Sequence, residues 1–139
     1  MDLMTESQRQ LERDEGRKPK IYYDTLNIPT IGIGFNLKEG LDNEEIDFIF
    51  QHRWKRILAE LKAKAPFLLT LDDARLGALM NMAYNMGIPR LLGFTKMLEA
   101  LSVGDYVKAG NEARNSFWYS QVGSRAVRIV EQIETGVWK

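Results

Sequence analysis

The sequence predicts an α+β protein that is mostly helical, with a small N-terminal β-hairpin lobe and a larger helical C-terminal lobe. Three observations predict it. Strand character is confined to one stretch, where residues 20–24 and 29–35 flank the turn candidate Thr25-Leu26-Asn27-Ile28. From Asp42 onward, apolar residues recur at i, i+3 and i+4, punctuated by capping side chains and glycines. The 139 residues are 45% apolar and 27% charged, enough for one well-packed domain or two small lobes sharing a helix. The expected segments are 1–41 with the hairpin, a long helix over 42–65 and further helices over 66–139.

Each element has its own signal. Thr5 with Gln8 three residues on reads as a capping box, and Leu3, Met4 and Leu11 supply the first helix with an apolar face. That helix runs to Glu15, where Gly16 suits a left-handed cap. The hairpin then fixes Asp24 and Thr30 on one small sheet, with Glu15 delivered to its edge. Lys38-Glu39-Gly40 is a connector. Asp42, with Glu45 at the capping-box position, starts a helix reaching about Ala63, with Ile46, Ile49, Phe50, Trp54, Ile57, Leu58 and Leu61 on its apolar side. Trp54 is expected in the core. Pro66 ends that segment, and Thr70 with Asp73 three residues on starts the next helix.

The run from Leu79 to Met86 is too apolar for a surface helix and is expected to be the buried centre of the C-terminal lobe, its methionines filling the core. Asn81 within it needs a hydrogen-bond partner if buried. Residues 87–92 read as a loop, and Phe94-Thr95 opens another helix. Asp105 caps a helix running through Asn115. Gly123-Ser124 precedes a last helix with Val127, Ile129, Val130 and Ile133 as apolar positions, stopped by Gly136.

Composition excludes several chemistries. There is no cysteine, hence no disulfide, thiolate metal site or thiol nucleophile. The single histidine, His52, lies in a charged helical segment and is expected to face solvent; a zinc site or a Ser-His-Asp triad would have to run through it without a supporting motif. With 19 basic and 19 acidic residues the net charge is zero, which offers nothing to nucleic acid. Charge divides locally: Arg114, Arg125, Arg128 and Lys139 form a candidate basic surface, and residues 42–47 are acidic. The N-terminus lacks the basic start and apolar run of a signal peptide. No stretch reaches the roughly 18 apolar residues that span a bilayer.

One stretch, residues 15–35, collects groups able to do chemistry: Glu15 at a helix end, Asp24 and Thr30 about a turn, then Gly32-Ile33-Gly34. Singly each has an ordinary reading, a solvated helix terminus or a packing glycine. The glycine run lacks the spacing and following helix of a phosphate loop. Together, Glu15-Gly16, Tyr22, Asp24, Thr30, Gly32 and Gly34 follow the order and spacing Glu-Gly, then Tyr-x-Asp-x-x-Gly-x-x-Thr-x-Gly-x-Gly-His. In this the chain resembles the phage-type lysozymes, glycoside hydrolase family 24, of the kind made by T-even bacteriophages. The resemblance continues through residues 78–87, Gly93-Phe94-Thr95, Trp118-Tyr119, Arg125-Ala126-Val127-Arg128 and Thr135-Gly136-Val137-Trp138. Two positions depart. Phe35 stands where the family has a His that forms a structural ion pair, and Asn27 stands at the turn Gly, where Asn is the residue best able to take a positive φ.

The resemblance implies a lysozyme-like two-lobe fold and a muramidase acting on peptidoglycan, with Glu15 as general acid and Asp24 and Thr30 positioning the attacking water in an inverting reaction. It places Arg125 in support of the acid; by the residues alone Arg125 reads equally well as a helix-surface residue. Asn36, Tyr84, Asn85 and Phe94 are the implied substrate contacts, although Tyr84 and Phe94 also suit a plain core, and Met97 and Glu112 depart from other members of the family. No metal or organic cofactor, nucleic-acid partner or stable membrane insertion is expected, and the chain is expected to be a monomer. An endolysin without signal or anchor would wait in the host cytoplasm until the membrane is permeabilised. A non-catalytic peptidoglycan-binding module, a lytic transglycosylase and a purely structural helical domain are the alternatives.

Overall fold

The computed structural model describes residues 2–139. Among them eight α-helices accompany one three-stranded antiparallel sheet of order β1-β2-β3, an α+β and mostly helical architecture. The chain forms two compact units, one through Phe48 and one over Ile49–Lys139.

In the first unit α1 spans Leu3–Glu15. Its N-cap is Asp2 rather than Thr5: Asp2 Oδ1 accepts from the Thr5 backbone N–H at 2.8 Å, and the Thr5 hydroxyl donates to Asp2 Oδ2 at 3.0 Å. Both residues are capping types, and the earlier one captured the helix start, turning Thr5 into a first-turn residue. Gln8 therefore bonds Glu12, at 2.7 Å, instead of reaching back. The expected apolar face stays in solvent. Leu3 is 85% exposed, and no α1 residue is buried. Gly16, at φ 82, ends the helix.

Strands β1 (Lys18–Tyr23) and β2 (Pro29–Gly32) pair as the hairpin, with Tyr22 opposite Thr30 and Tyr23 opposite Pro29. Asn27 has φ 60, the left-handed conformation that an Asn tolerates. The expected strand over 29–35 breaks at Ile33-Gly34, and β3 (Phe35–Asn36) folds back so that Asn36 pairs with Thr30. Next, α2 (Asn43–Lys64) starts on the expected capping box: Asp42 Oδ1 accepts from Glu45 N–H at 2.8 Å.

Burial along α2 rises only towards its end, where Leu61 is fully buried; Trp54, expected in the core, is 40% exposed. A 3₁₀ turn, Pro66–Thr70, follows. The next helix, α3 (Asp73–Met86), is capped by Asp72, not Thr70, whose hydroxyl is already spent on the Phe67 carbonyl at 2.6 Å. Burial of Ala78, Leu79, Met82 and Ala83 makes α3 the centre of the second unit's core. Asn81 proves exposed, because with Tyr84 and Asn85 it occupies the i, i+3, i+4 stripe opposite the buried one.

Residues 88–92, read as loop, form the short helix α4 (Ile88–Leu92), anchored by buried Ile88 and Leu91. The remaining helices are α5 (Thr95–Ser102), α6 (Tyr106–Arg114, capped by Asp105), α7 (Phe117–Val122, not anticipated) and α8 (Ser124–Thr135, closed by Gly136 at φ 69). Arg75 clasps α8 to α3: its guanidinium donates to the carbonyls of Ile133 and Glu134 at 2.6 and 3.0 Å and lies 3.5 Å from the centre of the Tyr106 ring.

Candidate active site

In the first unit the sheet brings three sequence-predicted groups onto one face. Asp24 directly follows β1, and its N–H bond to Ile28 O continues the pairing that sets Tyr22 opposite Thr30. Tyr22, Thr30 and Asn36 form one row across the three strands.

Asp24 is set by its turn. Its Oδ1 accepts from the backbone N–H groups of Leu26 and Ile28 at 2.8 and 2.9 Å, its own N–H donates to Ile28 O at 3.0 Å, and its carbonyl accepts from Asn27 at 2.9 Å. Oδ2 makes no protein hydrogen bond among the described residues, leaving one carboxylate oxygen for a ligand. Thr30 is 4% exposed, and its hydroxyl donates to Ile28 O at 2.8 Å. With the proton so committed, the Thr30 oxygen can only accept. Asn36 Oδ1 accepts from Lys38 N–H at 2.9 Å, which leaves its amide protons to donate.

Glu15 reaches the sheet through Gly34. A Cβ placed on Gly34 would lie 2.7 Å from Glu15 Oε2 and 3.1 Å from its Cδ, so the carboxylate sits directly against the glycine. Glu15 is an exposed residue. Beside it a pocket of about 400 Å³ is lined mainly by Met4, Leu11, Ile33 and Phe35. Phe35 lies against Gly32, where a Cβ would meet its ring at 2.5 Å.

The second unit holds the other predicted residues. Arg125 donates from Nε and Nη2 to Asn81 Oδ1 at 2.9 and 2.7 Å, so it is more than a free surface side chain. The pair lines a pocket of about 200 Å³ with Phe50, Trp54, Met80 and Tyr84. Tyr84 is exposed, its ring 6.0 Å from that of Phe50. Asn85 Oδ1 accepts from the Trp118 indole at 3.2 Å, and Phe94 meets the same indole edge-on at 6.2 Å. Phe94 thus packs against the core while lining a pocket of about 320 Å³. Met97 is buried and Glu112 half-buried. Asn81 was not singled out as a site residue; its signal was the polar stripe at 81, 84 and 85. Of the expected basic surface, Arg114 is paired with Glu134. Among the described residues no three His, Asp or Glu side chains gather as a metal site, and no helix is long and apolar enough to cross a membrane.

Fold and site together define a class: a mostly helical α+β protein whose small sheet gathers a helix-end carboxylate, a turn carboxylate and a buried alcohol. The phage lysozyme family model matches residues 12–131, and the chain belongs to that family. It is 30% identical to the pre-baseplate central spike protein Gp5 of Enterobacteria phage T4 over 91% of its own length, and spans 27% of that protein. It is 27% and 26% identical to the probable T4-type lysozymes 1 and 2 of Dictyostelium discoideum, over 91% and 93% of the chain and 92% and 94% of theirs. Family membership supports a lysozyme-like glycosidase function.

Proposed function

We propose that the chain is an N-acetylmuramidase that hydrolyses the β-1,4 bond between N-acetylmuramic acid and N-acetylglucosamine of peptidoglycan, with inversion. Glu15 protonates the leaving oxygen. Asp24 and Thr30 hold the water that attacks the anomeric carbon. The observation that carries this reading is the hydrogen-bond state of the sheet face: Asp24 Oδ2 and the Thr30 oxygen are both acceptors left unused by the turn. A water that donates one proton to each has its lone pair directed outward, and the proton it loses on attack passes to Asp24. Asn36, Tyr84, Asn85 and Phe94 bind the glycan, the amides by hydrogen bonding and the rings by stacking, and Arg125 supports the site. The enzyme works as a monomeric endolysin, kept in the host cytoplasm until the membrane is permeabilised.

The test is digestion of purified peptidoglycan in ¹⁸O water by wild type and Glu15→Gln, with mass analysis of the muropeptides and ¹H NMR of the fresh product. Hydrolysis puts ¹⁸O on the new reducing end, inversion gives the α-anomer first, and Glu15→Gln releases almost nothing. A 1,6-anhydro product without label would replace hydrolysis by transglycosylation. Absence of any cleavage by the wild type would leave only a binding module.

A further inference from the structure

We propose that Gly34 is a positioning residue for Glu15, its missing Cβ forming the seat in which the carboxylate rests; this builds on the reading of Glu15 as the general acid. The three atoms nearest to a Cβ at Gly34 all belong to Glu15, with Oε2 at 2.7, Cδ at 3.1 and Cγ at 3.2 Å. Ordinary non-bonded carbon contacts lie at about 3.5–4.0 Å, so a methyl group there and the present carboxylate position exclude each other.

Which side yields follows from the two backbones. Gly34 is held between paired strands, its neighbour Phe35 opposite Ile31. The Glu15 backbone closes α1, with Gly16 N–H on the Glu12 carbonyl at 2.8 Å. The movable part is the outer end of the Glu15 side chain, which is exposed and has solvent to swing into. A side chain at 34 therefore displaces the acid, and its expense to the fold is the backbone strain of a positive φ. The other sheet glycine does a different job, since the atoms nearest a Cβ on Gly32 all belong to the Phe35 ring. Of the two glycines in Gly32-Ile33-Gly34, one receives a packing ring and the other the carboxylate.

Gly40 supplies the control. Its φ, +73, is close to the +64 of Gly34, yet nothing lies within 4 Å of a Cβ built there. Gly40→Ala carries the backbone strain of a positive φ without touching Glu15. The experiment measures kcat and KM on soluble glycan strands, with thermal midpoints, for wild type, Gly34→Ala, Gly40→Ala and Glu15→Gln. A displacement of about 1 Å can cost about 100-fold in rate, so Gly34→Ala should lose about that factor in kcat with KM little changed. Its thermal midpoint should fall no further than that of Gly40→Ala, whose turnover stays at the wild-type level. If Gly34→Ala does not fold, Gly34→Asn keeps a Cβ on a residue that accepts positive φ, and the same loss is expected. Inactive Glu15→Gln beside Gly34 variants with wild-type kcat overturns the seat alone. Wild-type turnover by Glu15→Gln overturns both the acid assignment and the seat.

Discussion

Replacing Thr30 by Val tests the water-holding face most directly, because the two side chains share a shape and differ in one oxygen. The structure sets the size of the stability effect. The lost hydroxyl donates to Ile28 O at 2.8 Å, but that carbonyl also accepts from Asp24 N–H at 3.0 Å and is not orphaned. The change removes one ordinary hydrogen bond, about 0.5–1.5 kcal/mol. Unfolding entropy near 2.1 cal/mol/K per residue gives about 0.3 kcal/mol/K for this chain, so the midpoint should drop by about 2–5 °C. The catalytic effect should be larger. Losing one of two acceptors that orient the water is worth about 100-fold or more in rate, the lower end for acid–base catalysis, equivalent to about 2.7 kcal/mol. Thr30→Ser keeps the oxygen and should stay within about tenfold of wild type. Clearing of permeabilised bacteria at room temperature gives the rates, and circular dichroism melts give the midpoints. If Thr30→Val lyses as fast as Thr30→Ser while melting as expected, the alcohol holds the turn and takes no part in positioning water.

The other expectations concern the same turn and the second unit. Asp24→Asn retains an Oδ1 able to accept from Leu26 and Ile28, so its melt should match the wild type while its lysis rate falls at least about 100-fold; an unfolded variant would make Asp24 structural instead. At Asn27, with φ 60, Ala should cost about 1–2 kcal/mol and Gly next to nothing; equal denaturation midpoints for the two would refute the strain. Asp72 caps α3 and pairs with Arg75. Burial, the largest single influence on its carboxyl, pushes the pKa up, but the Arg75 hydrogen bonds and charge together bring it below the usual aspartate range. A lowered folded pKa means stability that is present above about pH 4 and is lost as pH falls through the folded value. The gap in midpoint between wild type and Asp72→Asn should therefore be full at neutral pH and close in acid; a gap that ignores pH would remove the ion pair from the account.

How much of this was legible in the chain depends on the range of the interaction that decides it. The hairpin, the Asn27 conformation, the Asp42–Glu45 box and the Asp105 cap are settled by residues within a few positions of one another, and sequence spacing displays them. Helix starts with two rival caps were misread. Asp2 precedes Thr5 and Asp72 follows Thr70, and each time the aspartate, the stronger cap, holds the helix start. The helix α4 was missed because five residues give no periodicity; what holds it is tertiary burial of Ile88 and Leu91. Asn81 sits in an apolar run, and counting by 3.6 puts it with Tyr84 and Asn85 on the open side. The contact between Glu15 and Gly34 joins residues 19 apart, and spacing alone does not show which glycine of the pair receives the carboxylate.

The first unit also shows how a carboxylate can be oriented with almost no apolar core. Thr30 is its one buried residue among those described, so side-chain packing cannot be what orients Asp24. Backbone hydrogen bonds do it instead. Two N–H groups fix Oδ1, and the turn that presents them exists because Asn27 accepts φ 60. Turn geometry and carboxylate direction are therefore one structural decision, and Thr30 is tied to it through the shared Ile28 carbonyl. Fixed dipoles of this kind need no reorganisation when charge develops. It follows that the sensitive positions of this unit are those that shape backbone, Asn27 and Gly34, while the exposed Leu3 and Met4 tolerate change. A protein that relied on a packed core for the same task would show the opposite ranking.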